Sequence, residues 1–289
     1  DDLKLTLNAL SEPTNLNMKL LPNFSVNTLL NKIPGQPGSF SELSNTKTSS
    51  NYHDIAEFGR RNFNSNSSFG FFHINIASLP KHRDELSSLL NLINYKFKII
   101  GISETRLNSN IGETINIEID EYHVIDTKTL TLAGGTGLYV HKSIISEIKI
   151  RQDLCFQIEN GFESTFIELI QSGSKNMIIG CIYKHPSFPV ETFTDEIIVK
   201  IFNKINRENK LVTVMGDFNI NLLNYDTSSA SSNFYDSIAS FNFQPLILQP
   251  SRITLRSQTL IDNIFTNDIK HDLVSGNLTC SISDHFAQF

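Results

Sequence analysis

Apolar positions along the chain follow two spacings, and both start near Gly70. Phe71–Ile76 is a short apolar run that predicts a buried strand. Pro80-Lys81-His82 then opens a segment in which Leu86, Leu89, Leu90 and Ile93 recur at helical spacing. Strands are predicted over Phe97–Ser103, Tyr122–Asp126, Gly137–His141, Thr165–Ile170 and Met177–Tyr183, with few helices between them. Phe193–Ile205 is an amphipathic helix with Ile197, Ile198, Ile201 and Ile205 on one face. Leu211–Met215 is a strand, Phe234–Ala239 is helical, and Leu260–Phe265 and Gly276–Ile282 are the last strands. No internal repeat is present. Many strands with helices clustered in the sequence favour an α/β fold of two sheets packed face to face, over a singly wound parallel sheet.

Residues 1–69 show neither spacing. Ser41–Asn51 and Asn62–Ser68 are dominated by Ser, Thr and Asn, and Pro34, Gly35, Pro37 and Gly38 interrupt what precedes them. The expectation is a polar, flexible N-terminal extension over 1–69, with one short helix near Tyr52–Phe58, and a domain over 70–289.

Composition changes this picture in two respects. The formal charge is -6, and residues 1–69 carry six acids and six bases, so the excess acid lies wholly in 70–289. A strongly basic footprint is absent, which argues against tight sequence-independent DNA binding and leaves room for an acidic pocket around a divalent cation. No apolar stretch approaches the roughly 20 residues that span a bilayer, and no secretory leader is visible. Cys155, Cys181 and Cys280 are odd in number and sit in strand-like runs. They read as reduced core thiols of an intracellular protein.

Polar residues recur at the ends of the predicted strands: Asn75, Glu104, Tyr183, Asp217 with Asn219, Asp262, and Asp284 with His285. In a two-sheet sandwich such ends can converge on one edge. Phosphodiester hydrolysis needs charge neutralised on the phosphate, a water deprotonated and a leaving alkoxide stabilised. Glu104 and Asp284 are candidate ligands for Mg²⁺, which takes few carboxylates and keeps several waters. Asp217 suits orienting or deprotonating the water. Asn75, Asn219 and Tyr183 are neutral groups able to position phosphate oxygens or other side chains. His285 suits the scissile phosphate, with Asp262 fixing its tautomer and orientation. Each residue also has a plain reading: Gly216-Asp217-Phe218-Asn219 is an Asx-rich turn, and Tyr183 is a core aromatic with its hydroxyl at the rim. Asp262 differs, because an acid flanked by Ile261 and Ile264-Phe265 needs a buried partner. Arg252, Thr254, Arg256 and Ser257 form a loop suited to touching DNA.

The ordered set resembles a known family. It comprises His73-Ile74-Asn75-Ile76-Ala77-Ser78-Leu79, Ile102-Ser103-Glu104-Thr105-Arg106-Leu107, Gly134-Gly135-Thr136-Gly137-Leu138-Tyr139-Val140, Cys181-Ile182-Tyr183-Lys184-His185-Pro186, Gly216-Asp217-Phe218-Asn219, Pro250-Ser251-Arg252-Ile253-Thr254, Thr259-Leu260-Ile261-Asp262-Asn263-Ile264-Phe265-Thr266-Asn267 and Ser283-Asp284-His285. From Phe71 to Phe289 the chain is similar to the endonuclease/exonuclease/phosphatase superfamily, and within it to the apurinic-type endonuclease domain of non-LTR (LINE-like, jockey-like) retrotransposons. The resemblance implies a four-layer α/β sandwich of two mainly antiparallel sheets flanked by helices. It also implies catalysis with Mg²⁺, or Mn²⁺, on double-stranded DNA in the nucleus. The nick would leave a 3′-hydroxyl that primes reverse transcription of element RNA by a polymerase region absent from this chain. The family motif falls on Asn75, Glu104, Tyr183, Asp217, Asn219, Asp262, Asp284 and His285. Ala77 stands where repair-type relatives carry an acid, Ala287 where many have Pro, and the closing strand is expected to be clipped at Phe289. Two readings stay open beside it: a phosphatase or phosphodiesterase of the same fold acting on another substrate, and an inactive nucleic-acid-binding remnant.

Overall fold

The computed structural model describes residues 50–60, 69–93, 95–108 and 115–289. In chain order these form β1 (Asn51–His53), helix α1 (Ile55–Arg60), β2 (Phe71–Asn75), helix α2 (Leu79–Ile93), β3 (Ile99–Ser103), β4 (Tyr122–Thr127), β5 (Thr136–His141), β6 (Ile148–Ile150), β7 (Phe156–Gln157), β8 (Phe162–Leu169) and β9 (Met177–Lys184). Helix α3 follows, as Val190–Thr192, a wider π-turn stretch Phe193–Ile198, and Val199–Asn206. Then come β10 (Leu211–Asp217), α4 (Ser229–Ser240), β11 (Gln244–Pro245), β12 (Arg252–Ile253), β13 (Gln258–Thr259), β14 (Asp262–Thr266), β15 (Gly276–Leu278) and β16 (Ala287–Gln288).

Two large sheets result. One runs β1-β15-β16-β2-β3-β5-β4 and the other β11-β14-β10-β9-β8-β6, with β7 also on β8. Pairing is parallel between β1 and β15, β2 and β3, and β9 and β10, and antiparallel elsewhere in both sheets. Strand side chains alternate between two environments, and this alternation sets the layers. On β10, Val212 and Val214 join the cluster of α3 and α4, which includes Ile201, Phe202, Ile205, Phe234 and Ile238. Met215 points the other way, into an inter-sheet cluster with Ile99, Leu138, Val140, Ile167, Cys181 and Ile264. On the first sheet Phe72, Ile74, Ile100 and Ile102 pack against Leu86, Leu89, Leu90 and Ile93 of α2. The order is therefore helix, sheet, sheet, helix, as the sequence implied.

The helices form where their apolar faces find these sheets. Each fully buried Leu or Ile contributes about 1.5–3 kcal/mol, so the α2 stripe alone outweighs any weakness of propensity. Ser228 starts α4 by accepting the N–H of Ser231 at 3.3 Å. The three thiols are free, with Cys181 buried and the other two half-buried.

The structure corrects the expected boundary at residue 70. Asn51, Tyr52 and His53 pair with Gly276, Asn277 and Leu278, and Phe58 of α1 packs against Tyr95, Phe97 and Phe289. Residues 50–60 are thus part of the first sheet and its helical layer. The short helix predicted near Tyr52–Phe58 lies at Ile55–Arg60. The rest of the N-terminal extension, 1–49 and 61–68, lies outside the described residues. A second correction concerns the last strand predicted, Gly276–Ile282. β15 ends at Leu278, so Asp284 and His285 arrive on the loop to β16 rather than at a strand end. That closing strand is short, but it sits between β15 and β2 and is pinned by a buried network. His73 Nδ1 lies 2.7 Å from Gln288 Oε1, and its Nε2 lies 3.1 Å from Ser103 Oγ.

Candidate active site

Directly paired residues on neighbouring strands share a face. The registers place Glu163 opposite Tyr183, Tyr183 opposite Asp217, and Asp217 opposite Asp262. These four form one row across β8, β9, β10 and β14, each in phase with an inter-sheet apolar residue: Ile167, Cys181, Met215 and Ile264. The space between the sheets is therefore apolar along most of its length and turns polar at this row. All four residues are buried. Gly216 is required beside it, because a Cβ there would lie 1.9 Å from the Ile182 carbonyl oxygen.

Asp217 is held from both sheets. Asn75 Nδ2 reaches across from β2 and donates to Oδ2 at 2.7 Å. The Asn219 N–H donates to Oδ1 at 2.9 Å, and Asn219 Nδ2 donates to the Lys184 carbonyl at 2.7 Å. Asn219 takes a left-handed φ of 49°, which asparagine tolerates. The Asx turn read from Gly-Asp-Phe-Asn is real, and its role is to orient the carboxylate. Burial first, and then the charge of Asp262, push the Asp217 carboxyl up to about 7.

Asp262 meets His285. Its Oδ2 lies 2.8 Å from His285 Nδ1 and also accepts Ser251 Oγ at 2.7 Å. Ser251 in turn accepts the Asp262 N–H at 3.0 Å. Burial works to lower the imidazole, but the Asp262 charge and hydrogen bond outweigh it and raise His285 to about 9. The loop that brings His285 is tied to the first sheet through Ser283, whose Oγ donates to the Asn75 carbonyl at 2.6 Å and accepts the His285 N–H at 3.2 Å. The phenol of Tyr183 is raised by burial and by the charges of Glu104, Asp217 and Glu163, so it stays a neutral O–H donor.

Glu104 and Asp284 stand apart from this buried set. Glu104 is half-buried in a turn where it and Arg106 both take left-handed φ, 56° and 55°. Each such residue costs on the order of 1–3 kcal/mol, and strain of this kind collects at functional sites. Arg106 Nη2 lies 3.2 Å from Glu104 Oε1. Asp284 is exposed; Arg252 Nε and Nη2 donate to its Oδ2 at 2.8 and 2.5 Å, and its Oδ1 lies 3.8 Å from His285 Nε2.

Among the described residues the ligand atoms that converge within 4.8 Å belong to Asp217, Asp262 and His285, not to Glu104 and Asp284. Asp262 Oδ1 there is buried without a partner, which suits a cation. Both Asp217 oxygens accept hydrogen bonds, however, and His285 Nδ1 is turned to Asp262. Glu104 and Asp284 supply the hard, accessible oxygens and low ligand count that suit Mg²⁺.

The loop with Arg252, Thr254, Arg256 and Ser257 is the β12–β13 hairpin. Thr254 and Ser257 form its turn, with Oγ1 and Oγ 2.9 Å apart, while Arg256 is exposed and Leu255 is 72% exposed at the tip. Arg252 does not project freely, since it holds Asp284. Three site residues were missed in the sequence: Ser251, Glu163 and His185. Glu163 precedes the strand predicted from Thr165 and has Ser164-Thr165 on one side, so it carried no signal like that of Asp262.

No family model and no curated protein matches the sequence. Solved structures do match the fold. The endonuclease domain of TRAS1, a telomere-specific non-LTR retrotransposon, aligns at 13% identity over 76% of this chain and 96% of its own, with a TM-score of 0.54. The AP endonuclease LMAP from Leishmania major aligns at 13% identity over 93% of this chain and 98% of its own, with a TM-score of 0.64. The 3′ phosphatase NExo from Neisseria, bound to a product DNA hairpin, aligns at 12% identity over 76% and 98%, with a TM-score of 0.55. The chain has the endonuclease/exonuclease/phosphatase fold.

Proposed function

We propose that this chain is a divalent-metal-dependent DNA endonuclease of a non-LTR retrotransposon, nicking target DNA to leave a 3′-hydroxyl for reverse transcription. One observation carries the reading: Asp217, buried between the sheets, is held by neutral donors beside the Asp262–His285 pair. A carboxyl that titrates near neutrality is suited to take a proton from an attacking water. His285, kept protonated by Asp262, offers its Nε2–H to a phosphate oxygen. Tyr183 offers a second neutral donor. Asn75 and Asn219 orient Asp217 rather than the phosphate, because their amides are already engaged.

Glu104 and Asp284 are the residues assigned to Mg²⁺, with Mn²⁺ as a substitute. When bound, the ion polarises the phosphoryl oxygens and steadies the leaving oxygen. Arg252 donates to Oδ2 of Asp284 alone, and its release from that oxygen would free the guanidinium for a DNA phosphate.

The test is nicking of supercoiled plasmid in Mg²⁺ and in EDTA, with the nick sites sequenced and their ends offered to a DNA polymerase. Mg²⁺-dependent nicks that a polymerase extends directly support the reading. Release of inorganic phosphate from a 3′-phosphorylated oligonucleotide, without nicking, would replace it by a phosphatase of the same fold.

A further inference from the structure

The row across the second sheet does not end at Tyr183. Its next member, Glu163, is gripped by His185, whose Nε2 lies 3.1 Å from Oε1 and 3.2 Å from Oε2. Both side chains are buried, at 6% exposure for His185 and 1% for Glu163. A carboxylate–histidine pair therefore closes the row at each end: Asp262–His285 beyond Asp217, and Glu163–His185 beyond Tyr183.

Two contacts give the second pair a task. The His185 ring packs edge-on against the Tyr183 ring, with centroids 5.0 Å apart and planes at 68°. The pair also abuts Gly134, where a Cβ would lie 2.6 Å from His185 Nε2 and 2.8 Å from Glu163 Oε2. Gly134 and Gly135 accept the N–H groups of Arg106 and Thr105 at 2.8 and 3.2 Å. Those bonds clamp the turn in which Glu104 takes its left-handed backbone. The pair thus touches both the phenol of the row and the loop that presents Glu104.

We propose that Glu163 and His185 are positioning residues of the active site, which fix the Tyr183 ring and brace the Glu104 turn. The proposal rests on the nuclease reading for its catalytic consequence. It does not rest on it for the ring contact. Neither side chain is exposed enough to meet a substrate, so their effect must pass through Tyr183 and Glu104.

The informative variant is His185→Gln, whose amide can still donate to Glu163 but which has no ring to set against Tyr183. Its single-turnover nicking should fall about tenfold, the lower end for residues that orient ligands from behind. In a Tyr183→Phe background the same substitution should cost little more, because groups acting as a unit are not additive. Fully additive losses, or no loss at all, overturn the proposal. A second arm needs neither activity nor metal. The chain has seven Tyr and no Trp, so the near-ultraviolet circular dichroism difference between Tyr183 and Tyr183→Phe chains reports the fixed phenol. That difference band should be lost in the His185→Gln background. If the unsubstituted chain fails to nick DNA, the nuclease reading falls and this spectroscopic arm alone decides. An unchanged band there refutes the positioning role.

Discussion

Replacing Asp217 by asparagine should make the protein less active and, above neutral pH, more stable. The folded carboxyl titrates near 7 instead of 3.8. An acid raised in the folded state binds its proton more tightly there than in the unfolded chain. Folding stability therefore falls as pH rises from about 4 to about 7, and stays reduced above that. At about 1.4 kcal/mol per pH unit, the shift corresponds to at most about 4 kcal/mol. The Asp217→Asn substitution would remove this penalty. It would also leave one of two donors, Asn75 Nδ2 or the Asn219 N–H, facing an amide N–H, at about 1–3 kcal/mol. At pH 5 the unfolded carboxyl is already ionised while the folded one is not, so about 1.5–2 kcal/mol of the penalty is present and roughly offsets the mismatch. At pH 8 the relief should exceed the mismatch by about 1–3 kcal/mol. For a domain of this size each kcal/mol moves the midpoint by about 2–4 °C. Thermal denaturation in EDTA should show the variant gaining about 2–3 kcal/mol on the unsubstituted chain between pH 5 and pH 8. Nicking at pH 8 should fall by about 10² or more. Equal offsets at pH 5 and pH 8 would refute the argument, since they mean that the Asp217 carboxyl is not raised by folding.

Further outcomes are open to measurement. Glu104→Gln should abolish most Mg²⁺-dependent nicking and weaken Mn²⁺ binding in calorimetry while the fold survives; if Asp262→Asn weakens Mn²⁺ binding instead, the ion belongs to the buried group. Asp262→Asn combined with His285→Ala should be little worse than His285→Ala alone, and additive losses in the logarithm of rate would separate the two residues. Because His285 is raised from 6.5 to about 9, its stabilising contribution is complete below 6.5 and lost as pH rises through about 9, and nicking should decline over the same window. Exchanging Thr254–Ser257 for a Gly/Ser turn of equal length should broaden the mapped nick sites with the metal requirement intact, and an unaltered site profile would remove the hairpin as a specificity element.

The layers were legible in the sequence because the alternation on each strand is strong: Val212, Val214 and Met215 already sort themselves to opposite faces. The first strand was not, since Asn51-Tyr52-His53 carries no alternation and is held by backbone pairing with β15, a contact more than two hundred residues away in the chain. The bend after Leu278 was hidden for a related reason. Cys280 and Ile282 keep an apolar period of two while the chain has left the sheet, so periodicity alone extends the strand. Among the candidate site residues, Asn75, Asp217 and Asp262 stood out because each ends or interrupts an apolar run. Glu163 does not, since it lies between Phe162 and Ser164-Thr165 before the predicted strand, and its partner His185 sits in a Lys-His-Pro turn, where a histidine reads as solvated. Arg252 shows what a sequence leaves out about a side chain's partner. An exposed arginine on a hairpin suggests a phosphate contact, and only the structure reveals that Asp284 holds it.

The row explains why Asp217, of the buried acids in it, suits the role of base. Glu163 and Asp262 each have a histidine nitrogen within 3.2 Å. Tyr183 intervenes as a neutral phenol. Asp217 alone is served only by neutral donors, an Asn side chain and a backbone N–H. Neutral donors stabilise a carboxylate less than a cation does, and the neighbouring Asp262 charge opposes its ionisation further. The middle carboxyl is therefore the one raised to where it exchanges its proton near neutral pH. With Asp217 raised to about 7 and His285 raised to about 9, one site holds both a candidate base and a candidate acid. Strand register aligns the three carboxylates, while the segments after β9 and β15 bring His185 to Glu163 and His285 to Asp262.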